Sequence, residues 1–241
     1  MLTDLPRGRF VAVLGALFGL LVIVSAIEPF DRSAWLLENA LVVAAVGFLA
    51  ATYRRMPLSR ISYGLIFIFL CLHETGAHWT YSEVPYDEWA RSLFGVSISE
   101  QFDLERNHFD RVVHFLYGFL IAYPIREIFV RVAQVRGFWG YFLPLDLTMS
   151  TSMIFELFEW VAAEFFGGDL GIAYLGSQGD VWDAHKDMLL ASVGALLAML
   201  ITAWINFRSK RDFAADFAES LRVKSGPLGE DALARMKAGG T

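Results

Sequence analysis

The sequence is poor in cysteine, in charge and in basic relative to acidic residues. Its 241 residues include one cysteine, Cys71, so an internal disulfide framework and a multi-cysteine metal cluster are excluded. Charged residues make up 19% of the chain and hydrophobic residues 56%, whereas soluble domains carry about 25% charged residues. With 20 Lys and Arg against 26 Asp and Glu, the chain has no basic excess for binding nucleic acid. These shortages favour an integral membrane protein.

What the sequence has in quantity is long apolar stretches, and six approach the ~20 residues that span a bilayer. They run over Phe10–Ile27, Trp35–Tyr53, Ile61–Tyr81, Val112–Val132, Phe138–Phe165 and Met188–Phe207. The pattern predicts an all-α, polytopic membrane helix bundle over 1–207 and a cytoplasmic amphipathic tail over 208–241. The first stretch ends at Val24-Ser25-Ala26, which can also be read as a signal-peptide cleavage site. Its length favours a retained span.

Basic residues are concentrated on one side of this predicted topology. With the tail, that side carries fifteen basic and eight acidic residues, and the other side carries five and eighteen. The positive-inside rule therefore places both termini in the cytoplasm. An acidic outer face favours cations or a cationic ligand. The topology rule alone explains the missing basic residues outside but not all the acids.

Ionisable residues inside spans are costly, and here they cluster at the outer ends of four spans. Several pairs stand three or four residues apart, so each pair lies on one helix face. The pairs are Glu74 and His78, Asp110 and His114, Glu156 and Glu159, and Asp183 and Asp187. If the four helix ends converge, the pairs form a polar cup in the outer half of the membrane.

Carboxylates packed together at low dielectric require a cation or protonation, so we predict a bound divalent metal. Histidine and carboxylate ligands without thiolate indicate zinc, iron or manganese. The predicted metal ligands are His73, His78, Asp110, His114, Glu156, Asp183 and Asp187. Glu74, Glu159 and Asp180 are predicted to have catalytic roles. His73 and His78 lie about 140° apart on a helix and do not easily share one ion.

Each of these residues also has a structural interpretation. His73 and His78 can be hydrogen-bonded interfacial histidines, and Asp110 can pair with Arg111 or His114. The two glutamates of the fifth span can form salt bridges to Arg111 or Lys186. Asp180 or Asp183 can cap the last span, because aspartate is a favoured N-cap residue.

Four ordered motifs resemble the YjdF-type family of bacterial inner-membrane proteins. They are His73-Glu74-x-Gly76-Ala77, Arg106-Asn107-x-x-Asp110-Arg111-x-x-His114-Phe115, Phe155-Glu156-Leu157-x-Glu159-Trp160, and Leu175-Gly176-x-Gln178-Gly179-Asp180-x-Trp182-Asp183-x-x-x-Asp187-Met188. The resemblance covers about Phe10 to Phe207. It implies a multi-span protein of the bacterial inner membrane and supplies no reaction. Together with the charge bias, this predicts that the polar site faces the periplasm.

Three functions fit this pattern. The first is a metal-dependent hydrolase or transferase that acts on a lipid or another amphiphile. The second is a transporter of metal ions or of a proton-coupled solute, which requires a polar path to the cytoplasm. The third is a non-catalytic binding or assembly protein with a structural polar core. Membrane lipid is the expected partner, and the sequence leaves the oligomeric state open.

Overall fold

A computed structural model describes residues 5–166, 177–209, 213–224 and 229–238. These residues form ten helices and no strand. The helices are α1 Arg7–Ser25, α2 Arg32–Thr52, α3 Arg60–His78, α4 Tyr86–Phe94, α5 Ile98–Gln101, α6 Phe109–Arg131, α7 Trp139–Phe166, α8 Asp183–Ser209, α9 Phe213–Ser220 and α10 Glu230–Ala238. The predicted all-α helix bundle is confirmed.

Six of the helices have the length of a membrane span. By length and apolar composition, α1, α2, α6 and α8 qualify as candidate spans. The other two long helices, α3 and α7, have 19 and 28 residues and carry ionisable groups. Five of the six helices begin before their predicted apolar stretches: α1, α2 and α6 by three residues, α3 by one and α8 by five, so that α6 starts at Phe109 and α8 at Asp183. Asp110, Asp183 and Asp187 are therefore helical residues.

The closest packing in the bundle is between α6 and α8, and two glycines allow it. A Cβ atom on Gly118 of α6 would lie 1.9 Å from the Ala191 carbonyl oxygen, and one on Gly194 of α8 would lie 2.1 Å from that of Phe115. The two backbones thus touch without intervening side chains, as small residues permit between membrane helices. This contact brings the starts of α6 and α8 together.

Helix α3 lies in the middle of the bundle and packs against α1, α2 and α6. Glu127 of α6 accepts hydrogen bonds from the Ser59 amide at 2.8 Å and from the Ser62 hydroxyl, so it satisfies donors at the start of α3. A core of Phe18, Val42 and Leu70 joins α1, α2 and α3. The first three spans therefore form one layer around α3, and α6, α7 and α8 complete the bundle.

Short helices also form outside the spans, in the connection between α3 and α6 and in the C-terminal tail. α4 buries Ala90 and exposes Trp89, Leu93 and Phe94, as expected of a helix at a membrane interface. In the tail, Phe213 of α9 packs against Tyr141 of α7 and Phe207 of α8, and Phe217 packs against Phe138, which directly precedes α7. Gly226-Pro227, a pair that favours a break between helices of the tail, lies outside the described residues. The domain boundary after residue 207 stays a prediction.

Candidate functional site

The polar residues that the sequence places at four helix ends lie at one end of the bundle, here called the acidic end. It is formed by the last turn of α3, the first turns of α6 and α8, and the C-terminal half of α7. Two buried groups of side chains stand there. One joins α6, α7 and α8, and the other joins α1, α2 and α3.

The first group comprises Asp110, His114, Glu156 and Asp187 and is called the carboxylate–histidine centre. His114 Nε2 lies 3.5 Å from Asp110 Oδ1 and 3.5 Å from Glu156 Oε1. One potential ligand atom from each of Asp110, His114 and Asp187 lies within 4.8 Å of the other two. The four-residue spacing and the α6–α8 contact together produce this arrangement. It is the one group of three or more potential metal ligands found among the described residues.

The centre is buried, and two of its oxygen atoms have no hydrogen-bond partner. Asp187 is 2% exposed, and Glu156 is 8% exposed. Asp187 Oδ1 and Glu156 Oε1 accept no hydrogen bond from any described residue. Buried polar atoms without partners are uncommon because they lose their contacts with water. These two oxygens are free to bind a ligand.

Asp180 and Asp183 stand beside this centre but are paired with basic residues. These two aspartates and their partners Arg106, Arg111 and Lys186 are called the ion-pair tier. Asp183 Oδ1 lies 2.6 Å from Arg106 Nη2 and 3.4 Å from Arg111 Nη2. Asp180 Oδ2 accepts hydrogen bonds from Lys186 Nζ and Arg111 Nη2, each at 2.5 Å. The basic side chains of Arg106, Arg111 and Lys186 therefore form their ion pairs with these two aspartates.

The ion pairs of Asp180 fix its charge. Hydrogen bonds from Lys186, from the Trp182 amide and from Arg111 lower the pKa of Asp180 from its ordinary value of 3.8 to about 2. The residue is therefore an anion at any physiological pH. A permanently ionised, paired carboxylate is poorly suited to proton transfer, and the catalytic role predicted for Asp180 stays a prediction.

The second group surrounds Glu74 and is called the Glu74 cluster. Glu74 is fully buried, and its Oε1 accepts hydrogen bonds from the Ser25 hydroxyl, from Trp35 Nε1 at 3.0 Å and from Asn39 Nδ2 at 3.4 Å. His78 Nδ1 donates to the Ser25 carbonyl oxygen at 2.8 Å. The cluster therefore links α1, α2 and α3.

His73 lies between the two groups. The Tyr81 hydroxyl is 2.6 Å from His73 Nδ1, and Nε2 is 3.4 Å from the backbone oxygen of Glu38 and 3.7 Å from its Oε2. His73 and His78 thus have different neighbours, as their angular separation predicts. Glu159 shares a cavity with the carboxylate–histidine centre.

Sequence reasoning missed Glu38, which is 4% exposed and has an Oε2 atom without a hydrogen-bond partner among the described residues. A signal was present, because Glu38 is an ionisable residue inside the second apolar stretch. It also missed Arg106 as the partner of Asp183. That contact joins residues 77 positions apart through the connection before α6, and no local spacing indicates it.

Two cavities meet at the carboxylate–histidine centre. The first, called the apolar cavity, has a volume of about 340 Å³ and lies among α2, α3, α6 and α7, with His73, Asp110 and His114 in its wall. The second, called the acidic cavity, has a volume of about 450 Å³ and is lined by Asp110, Glu156, Glu159, Asp183 and Asp187 among others. Asp110 lines both, so the centre stands between an apolar and a polar compartment.

The fold and the buried polar end define a class: a polytopic helical membrane protein with an acid-rich site at one end. Comparison with known proteins gives the family. The model of the family described as "Predicted membrane protein (DUF2238)" matches residues 10–208, and the chain belongs to this family. The chain is also similar to the inner membrane protein YjdF of Escherichia coli (strain K12). The two are 36% identical over 195 residues, which cover 80% of this chain and 89% of that protein.

These matches confirm the resemblance carried by the four sequence motifs. The chain is a multi-pass protein of the inner membrane. No solved structure matches it.

Proposed function

We propose that this chain is a metal-dependent hydrolase or transferase that acts on an amphiphile at the periplasmic side of the inner membrane. The observation that carries the proposal is the carboxylate–histidine centre. There, Asp110, His114 and Asp187 converge within 4.8 Å, and Glu156 and Asp187 keep unpartnered oxygens.

The charges around the centre support a cation. Three carboxyl groups share the site with one imidazole. The structure gives Asp110, Glu156 and Asp187 no ion pair with lysine or arginine among the described residues, since Arg106 and Arg111 are bound to Asp180 and Asp183. Uncompensated charges buried in a membrane protein are costly. A divalent metal removes that cost, and inward-facing Glu and His ligands on helices are an established way to hold one.

The ligand types limit the choice of metal. One imidazole and two or three carboxylates suit zinc, iron or manganese. Asp110, His114 and Asp187 would hold the ion, and Glu156 would complete its ligands or accept a proton from water. A bound metal of this kind lowers the pKa of a coordinated water to about 7 and polarises an ester, amide or phosphoryl oxygen. Glu159, next to Glu156 on the same cavity wall, would pass the proton towards water.

The surroundings of the centre favour an amphiphilic substrate. The apolar cavity meets the centre from inside the bilayer, and the acidic cavity meets it from the other side. Such a junction suits a molecule with a hydrocarbon part and a polar group to be cleaved or transferred. A transporter needs a polar path onward, but the apolar cavity is walled mostly by apolar residues such as Leu70, Val113 and Phe155, although Tyr117, Thr151 and Ser152 also line it.

The orientation rests on the charge bias of the sequence. The side of the acidic end carries five basic against eighteen acidic residues, and the other side carries fifteen against eight, which by the positive-inside rule directs the acidic end to the periplasm.

Elemental mass spectrometry of the purified protein tests the metal. We expect about one or two equivalents of zinc, iron or manganese in the wild type and none in Asp187→Asn. Asp103→Asn is the matched control, because Asp103 is exposed, lies outside the site, and has a φ of 52° that asparagine tolerates. Equal metal content in all three proteins after metal addition, or none in any, would overturn the proposal.

Lipid mass spectrometry of cells tests the reaction. Overproduction of the wild type should change the level of at least one amphiphile, and overproduction of Asp187→Asn should not. A change of equal size with both proteins would contradict a role of the centre in catalysis.

A further inference from the structure

We propose that the apolar cavity holds one hydrocarbon chain of the substrate and that a hydrogen-bonded floor formed by Tyr117 and Thr151 sets its length. This inference rests on the proposed function and deepens it by naming the substrate class: an amphiphile with a chain of limited length. The cavity has a polar end, a floor and an opening towards the bilayer, and each of them limits what can bind.

The polar end of the cavity is the carboxylate–histidine centre itself. Asp110 and His114 belong to both. A chain attached to the reacting group at this centre therefore enters the apolar cavity directly. The remaining wall is almost entirely hydrocarbon, with Leu70, Val113 and Phe155 nearest to the centre along their helices.

The floor lies two helical turns further along α6. The Tyr117 and Thr151 hydroxyls are hydrogen-bonded at 2.5 Å, which joins α6 to α7 across the cavity. The Tyr117 ring also packs against Phe69 of α3, with ring centroids 5.4 Å apart. At 1.5 Å per residue, Tyr117 is roughly 10 Å from Asp110 along the helix axis. A chain longer than this meets a closed wall.

One side of the cavity faces the bilayer. Leu41 of α2 and Ile154 and Phe158 of α7 line it and are 39%, 43% and 58% exposed. A chain can therefore move in sideways from the membrane between α2 and α7.

The chemistry of the occupant follows from these boundaries. It carries a chain that is mainly apolar, since most of the wall is apolar and the Tyr117 and Thr151 hydroxyls are bonded to each other. Its polar group stays at the Asp110 end. A single-chain amphiphile, or a lipid that inserts one of its chains, meets both conditions.

Photo-crosslinking in vesicles tests this inference. The probes are octyl, dodecyl and hexadecyl glycerol ethers with a diazirine at the chain end, in vesicles of phosphatidylethanolamine and phosphatidylglycerol. Ethers resist hydrolysis, so labelling reports binding alone. We expect peptides of α6 and α7 around Tyr117 and Thr151 to be labelled by the octyl probe, whose extended chain matches the roughly 10 Å between Asp110 and Tyr117, and not by the dodecyl or hexadecyl probes.

Ala45 and Thr151 supply the variants. Ala45 lines the cavity and is exposed, so Ala45→Leu fills the space and should abolish labelling. Ala44→Leu is the matched control, because the neighbouring Ala44 lines neither this cavity nor the groove between α1 and α2. Thr151→Ala should open the floor and admit the dodecyl probe, whereas Thr151→Val keeps the volume and should still exclude it.

The outcomes separate this inference from the proposed function. Labelling that persists in Asp187→Asn and in chelator, with the same chain preference, supports the chain site even if no metal binds. Equal labelling of Ala45→Leu and Ala44→Leu would overturn the chain site even in a metal-loaded enzyme. An unchanged chain preference in Thr151→Ala would overturn the floor as the determinant of length.

Discussion

Asp183 and Asp187 stand one turn apart on α8, yet their environments are opposite. Asp183 is held by Arg106 at 2.6 Å and by Arg111 at 3.4 Å. Asp187 is 2% exposed, has an Oδ1 atom without a partner among the described residues, and faces the His114 and Asp110 side chains. Asp183 therefore belongs to the ion-pair tier, and Asp187, one turn later, belongs to the carboxylate–histidine centre.

The difference separates a structural from a functional use of charge. The ion-pair tier neutralises its carboxylates and ties the connection before α6 to the start of α8, through contacts such as that of Arg106 with the Ser177 carbonyl oxygen at 2.6 Å. The centre leaves its carboxylates uncompensated, which folding alone does not favour. Buried acids without an ion pair, beside aspartates that have one, are what a ligand site requires.

The largest effect is expected from Gly118→Ala, because it separates α6 from α8 and disrupts both regions. The new Cβ atom would lie 1.9 Å from the Ala191 carbonyl oxygen, so we expect a loss of more than about 4 kcal/mol of folding free energy. Gly64→Ala on α3 is the control, since its Cβ meets nothing within 4 Å. It should add up to ~1 kcal/mol through helix propensity. Thermal unfolding in detergent measures both, and similar midpoints would contradict the close approach.

A smaller effect should distinguish the two aspartates directly. Asp183→Asn leaves Arg106 buried without its partner, and breaking such a pair costs about 3 kcal/mol. Asp187→Asn in the presence of a chelator removes a carboxylate that has no ion pair, so it should not lower the unfolding temperature. The measurement is thermal unfolding of both variants in the same chelator-containing buffer.

The wild type in that buffer is the reference. A loss of stability in Asp187→Asn as large as in Asp183→Asn would mean that Asp187 is also a structural residue, and the comparison between the two regions would fail.

The smallest effect concerns pH. The pKa of Asp180 is lowered from 3.8 to about 2, so its ion pairs contribute stability that is fully present above pH 3.8 and is lost as the pH falls through 2. The difference in unfolding temperature between wild type and Asp180→Asn should therefore stay constant from pH 8 to pH 5. It should shrink only below about pH 4. A difference that disappears near pH 6 would show that Asp180 is not held as an ion in the folded protein.

The fold was largely predictable because hydropathy locates spans well. Its errors are at helix ends, where α1, α2, α6 and α8 begin three to five residues early; at the site, α6 begins at Phe109 rather than Val112 and α8 at Asp183 rather than Met188. The reason is physical. The first turns of both helices carry the ionisable residues of the site, and hydropathy treats such residues as outside the membrane.

The candidate site was predictable only where local spacing carries it. The four-residue spacing of Asp110 and His114 correctly placed both on one face, and the structure brings them to Glu156 and Asp187. The pairing of Asp183 with Arg106 depends on the tertiary path of a connection and could not be read from spacing. Metal binding by these residues stays a prediction.

The Glu74 cluster also has a mechanical consequence. Its hydrogen bonds join α1, α2 and α3 at the acidic end, whereas towards the other end a groove of about 650 Å³ separates α1 from α2. The first two helices are therefore tied together at the acidic end through the Glu74 carboxylate and are separated from each other towards the opposite end. Under a force applied at the N terminus, α1 and α2 should leave the bundle in one early step, and Glu74→Gln should lower the force at which that step occurs.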